Sequence, residues 1–80
     1  LPKINPKTLS LSKAREDIQA INRELIKNYE RTKVFEHSIN TITVHTLKLI
    51  TRKQAIKHAL ATKEPRSTRS KIEIKRLLDL

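Results

Sequence analysis

From His37 to Lys63 the chain contains no acidic residue, and that window carries Lys48, Arg52, Lys53, Lys57 and Lys63 together with all three histidines. Arg66, Arg69 and Lys71 follow at once, interleaved with Ser67, Thr68 and Ser70. Cationic side chains with hydroxyls and free backbone N–H groups between them are the usual contacts to phosphate oxygens. On a helix His45, Lys48 and Arg52 share one arc, and Lys53 and Lys57 an adjacent one. A helix beginning near Ser70 would add the positive end of its dipole. Lys48, Arg52, Lys53, Lys57, Lys63, Arg66, Arg69 and Lys71 are therefore the candidate polyanion contacts. The plainer alternative is that the charge merely solvates exposed helix faces. The whole chain holds 18 Lys+Arg against 8 Asp+Glu, a net charge of +10 in 80 residues. A charge of that size repels itself and attracts DNA, RNA, an anionic membrane surface or an acidic protein.

Other chemistries find little to work with. His37, His45 and His58 lack the i, i+4 partner of a helical zinc pair, and there is no cysteine, so neither metal nor cofactor is expected. The carboxylates sit beside cations, as in Arg15-Glu16-Asp17 and Arg23-Glu24, and read as solvated helix charges rather than an acid/base pair. No histidine and carboxylate are spaced to activate a serine. The absence of glycine removes the phosphate loop, the dinucleotide fingerprint and the nucleophile elbow. A non-catalytic chain is expected. Its two aromatic residues, Tyr29 and Phe35, fall in a helical pattern, leaving no platform for stacking bases. A helix-turn-helix would want a tight turn and shorter helices. Salt-sensitive contact with the nucleic-acid backbone is what remains.

One stretch, Arg15-Glu-Asp-Ile-Gln-Ala-Ile-Asn22-Arg-Glu-Leu-Ile26, resembles the first helix of the all-helical chorismate mutases. In that family an Arg opens the helix and I-x-x-I-[DN]-x-x-L-[IL] follows. The resemblance implies a helical enzyme with Arg15 in its active site. It departs from the family at the next positions: the second active-site Arg would fall at Thr32, and a catalytic Lys near Thr43.

The elements that must position these groups are helices. Leu11, Ile18, Leu25, Thr32 and Ile39 recur every seven residues, with Ala14, Ile21, Asn28, Phe35 and Ile42 between them. This is the 3-4 spacing of a coiled-coil-like seam. Leu11, Ile18, Ile21, Leu25, Phe35, Ile39 and Ile42 are its candidate contacts to a partner protein or a second copy. Ile26, Tyr29 and Val34 widen it. Asn28 and Thr32 either fix register as buried polar residues or mark a swing of the seam onto Tyr29. The β-branched stretch from Ser38 to Thr46 is weak in helix propensity. A bend is expected at 38–43, folding the chain into a helical hairpin; a continuous helix or a short strand are the alternatives.

A second helix is expected from about Thr43 to Thr62. Leu49, Ile56 and Leu60 form one apolar stripe and Leu47, Ile50 and Ala61 another, the pattern of a helix between two neighbours. Pro65 enforces a break. Ser70 and Glu73 match a capping box, starting a short helix that buries Ile74, Leu77 and Leu78.

The expected fold is thus all-α: an extended lead-in over 1–10, a long helix or hairpin over 11–63, a basic loop over 64–70 and a short helix over 71–80. Aliphatic residues suffice for a seam or small bundle, marginal alone at this size. No apolar run is long enough to span a membrane. The chain begins at Leu1 rather than Met and reads as a piece of a longer protein; Leu1 to Lys7 do not form a secretory signal. The function expected is a basic helical module that contacts nucleic-acid phosphates within a nucleoprotein complex. It would be intracellular, and nuclear or nucleoid-associated if the nucleic acid is DNA. The alternatives are a coiled-coil oligomerisation or scaffold segment and, more remotely, the chorismate-mutase-like enzyme.

Overall fold

A computed structural model describes the backbone of residues 3–34 and 39–80 and the side chains of 3–30 and 43–80. Three helices follow in order: α1 (Leu11–Val34), α2 (Ile39–Thr62) and α3 (Thr68–Leu78). The protein is all-helical among the described residues.

The lead-in is not extended. Asn5 Oδ1 accepts from the Lys7 N–H at 3.0 Å, and the Asn5 carbonyl accepts from the N–H groups of Thr8 and Leu9. The physical reason is the Asn-Pro pair. Asn closes a side-chain turn on the backbone two residues on, and Pro6 has its φ already set. The turn lets Ile4 and Leu9 pack against the core. Of the three possible caps for α1, Ser10 serves: its Oγ accepts from the Lys13 N–H at 3.4 Å.

α1 and α2 run antiparallel. Asn28 near the end of α1 meets Thr46 near the start of α2, while Lys63, just past α2, reaches back to Pro6, just before α1. α2 begins at Ile39, earlier than the expected Thr43, so helix runs through 39–43 where a bend is expected; residues 35–38 are outside the described residues. α3 returns parallel to α1. Arg15 pairs with Glu73, and the Asn22 side chain donates to the Leu80 carbonyl; both partners are 58 residues apart, which fixes one register. The bundle measures 49 × 21 × 14 Å.

The core forms where all three helices meet. Ala14, Ile18 and Ile21 of α1, Leu49, Ile56 and Leu60 of α2, and Ile74 and Leu77 of α3 make one buried cluster. Leu11, Leu25 and Leu78 pack against its edge. The seam expected to face a partner is therefore occupied, over Leu11, Ile18, Ile21 and Leu25, by the chain's own second and third helices. Folding back satisfies the same apolar stripe without a second molecule. Phe35 lies outside the described residues, and Ile39 and Ile42 stand at the start of α2.

Asn28 resolves the choice at the polar seam position. It is 1% exposed and its Nδ2 donates to Thr46 Oγ1 at 3.3 Å. The seam does not swing onto Tyr29, which is exposed, as is Ile26. The second stripe of α2 is also corrected. Leu47, Ile50 and Ala61 face solvent, because both helical neighbours of α2 share the Leu49–Ile56–Leu60 side.

α3 starts one turn earlier than expected. Ser67, extended at φ −154 and ψ 169, is the N-cap and accepts from the Ser70 N–H. Ser70 sits inside the first turn, where its Oγ meets that of Ser67 at 3.3 Å. Two serines three residues apart offered two caps, and the earlier one adds a turn of helix at no steric cost, since Pro65 stays outside. No helix among the described residues is long and apolar enough to cross a membrane.

Candidate nucleic-acid interface

The fold distributes the eight candidate cations over different sides of the bundle. Lys48 and Arg52 are exposed on α2, where with Val44, Leu47 and Thr51 they line a shallow hollow of about 450 Å³. Lys63 and Arg66 stand at the base of the bundle beside Lys7 and Pro6. Arg69 lies with Arg15, Glu73 and Arg76 between α1 and α3. Lys53 and Lys57 of α2 and Lys71 of α3 remain.

One contact identifies the flank of α2 that meets the end of α3. Lys53 Nζ donates to the Leu80 carbonyl at 2.8 Å, which places Lys53 on the α3-facing flank of α2. Lys57 is one turn along the same flank. On α3, Glu73 points to Arg15 of α1. Lys71 lies roughly 160° around the helix from Glu73, at about 100° per residue, and so borders α2 instead. Lys75 follows Lys71 by four residues and shares that border. Helical spacing thus puts Lys71 and Lys75 on the flank of α3 away from Glu73, and Lys53 and Lys57 on the flank of α2 that meets the end of α3. Lys75 was not among the sequence candidates. Its i, i+4 spacing from Lys71 was the available signal, masked by reading the helix as starting at Lys71 itself.

Electrostatics in this half of the molecule is one-sided. The described residues form three ion pairs: Lys13 with Asp17 at 3.3 Å, Arg15 with Glu73, and His45 with Glu24 at 3.8 Å. None of the eight candidate cations takes part. Lys75 makes no ion pair either, although Asp79 stands four residues on. Desolvation, and then the charge of Lys57, hold the Lys53 ammonium below the ordinary lysine range. Two candidates also have structural duties. The Lys53 contact ties down the end of α3, and Lys63 Nζ donates to the Pro6 carbonyl at 2.9 Å, tying the lead-in turn to the end of α2. An ammonium carries three donors, so each keeps hydrogens to spare.

The remaining chemistry-bearing residues are dispersed. His58 lines a hollow with Lys3, Ile4 and Gln54, while His45 faces Glu24. Arg15, the residue that the chorismate-mutase resemblance would put in an active site, is half-exposed and paired with Glu73. No protein-family model, curated protein or solved structure matches this chain.

Proposed function

We propose that this protein is a non-catalytic helical module that holds the phosphate backbone of DNA or RNA along the groove between α2 and α3. Lys57, Lys71 and Lys75 would make the principal contacts, with Lys53 at the end of the groove. The observation that carries this reading is that none of these four cations is in an ion pair among the described residues, whereas Lys13 and Arg15 of α1 are. The Lys53 ammonium is held low first by desolvation and then by the charge of Lys57; a run of unpaired ammonium groups raises the local potential. A polyanion relieves it and releases counterions. Lysines without aromatic neighbours would grip the backbone with little regard to sequence.

Replacing Lys57, Lys71 and Lys75 together by Gln tests the reading. Affinity for duplex DNA and RNA should fall, and the salt dependence should flatten by about one unit of log–log slope per lysine removed. The Lys48→Gln, Arg52→Gln pair should change both less. Equal effects from the two sets would place the contacts elsewhere, and no effect from either would reject the reading.

A further inference from the structure

The α2 face opposite the core carries an apolar stripe that a phosphate backbone would leave uncovered. Val44, Leu47 and Ile50 are 55%, 58% and 40% exposed. With Leu47 as reference, Val44 lies roughly 60° to one side and Ile50 roughly 60° to the other, so the three make one continuous surface. Lys48 and Arg52 follow on the Val44 side and border the same hollow as Val44, Leu47 and Thr51. Ile26 and Tyr29 of α1, both exposed, lie level with this segment in the register that joins Asn28 to Thr46. The Leu80 carbonyl, just past α3, is tied to Asn22 and Lys53.

We infer that this face docks an amphipathic helix of a partner protein, with apolar residues along its seam and Asp or Glu on its flank. The apolar stripe sets the shape of the occupant: three side chains at i, i+3 and i+6 match one face of a helix. The charges set its sign. Lys48 and Arg52 are spaced to meet carboxylates one turn apart, and α2 offers no acid anywhere between Thr43 and Thr62 to accept a basic or neutral-polar partner. A second copy of this chain is the wrong occupant, since it would bring its own Lys48 and Arg52 and a further net charge of +10 to the same contact.

The probe is a synthetic helical peptide with Leu at its seam positions and Glu on both flanks, titrated against the intact chain with amide shifts recorded by NMR. Two control peptides replace its Leu by Gln or its Glu by Lys. Binding of the Leu/Glu peptide alone, with shifts centred on residues 44–52, is the expected result. Val44→Gln with Leu47→Gln should weaken it about tenfold or more, and Lys48→Gln with Arg52→Gln should weaken it and remove its salt dependence. The Lys57/Lys71/Lys75 variant should bind the peptide normally, so failure here and failure of the phosphate reading are told apart. Exposed positions leave the fold intact, and unchanged helical circular dichroism verifies that for each variant. Equal binding of the Gln/Glu peptide would reduce the face to a charge effect and overturn the proposal. So would a stable homodimer abolished by Leu47→Gln, or shifts at 44–52 produced by duplex DNA in place of the peptide.

Discussion

The two ends of this bundle are built differently. At the base, three helices and the Asn5–Leu9 turn enclose Ala14, Ile18, Leu60, Ile74 and Leu77. Towards the α1–α2 connection only two helices remain. Among the described residues there, a polar pair, Asn28 with Thr46, faces inward, and Ile26, Tyr29, Val44, Leu47 and Ile50 stand exposed. The base spends its apolar residues on folding; at the two-helix end these five described ones stand outside. Substitutions at the base should act on folding, and substitutions on the outer face of the two-helix end should act on binding.

The sharpest test pairs one leucine from each region. Leu60→Ala removes a side chain with no solvent exposure and should cost about 2–5 kcal/mol in denaturant unfolding. That loss is large enough to unfold a domain of this size. Leu47→Ala should stay within about 0.5 kcal/mol. Equal losses would mean that the two-helix end is as tightly packed as the base.

The polar pair comes next. Asn28→Ala leaves Thr46 without its buried donor and should cost about 1–3 kcal/mol. Replacing both partners by apolar residues, Asn28→Leu with Thr46→Val, should recover most of that loss, while weakening whatever register control the pair gives. At the start of α3, Ser67→Ala should cost about 1 kcal/mol and Ser70→Ala clearly less, both read from thermal unfolding. The reverse order would return the cap to Ser70.

The smallest effect concerns pH. Lys53 loses its proton more readily in the folded chain than in the unfolded one, whose lysine titrates near 10.5. Between the lowered folded value and 10.5 the unfolded chain binds more protons, so stability rises with pH across that window. The penalty is fully present below the folded value and gone above 10.5. The quantity to measure is the difference between the parent and Lys53→Gln, which should narrow as pH rises. A constant difference would show that burial of Lys53 is without energetic consequence.

Much of this division was legible in the residues. The seven-residue spacing located α1 and its buried Ile18 and Ile21, and Pro65 marked the break before α3. The 3-4 pattern could not say who occupies the seam, because an intramolecular α2 and a partner helix satisfy the same stripe. Three of the places where local reading misled share one cause, competition between near-equivalent choices decided by tertiary packing. Ser67 and Ser70 both cap well. The lead-in prolines permit either extension or an Asn-Pro turn, and the turn wins because it buries Ile4 and Leu9. Leu47 and Ile50 look like core until the antiparallel register turns Leu49, Ile56 and Leu60 inward. The groove lysines needed that register too, since Lys57 and Lys75 are brought to one border only by the packing of α2 on α3.

The phosphate-binding reading rests most directly on the salt dependence of the unmodified protein. Duplex DNA and RNA are titrated with the 80-residue chain across a salt series. If Lys53, Lys57, Lys71 and Lys75 all engage, log affinity should fall against log salt with a slope of roughly −3 to −4. An affinity that does not change across the series would contradict it.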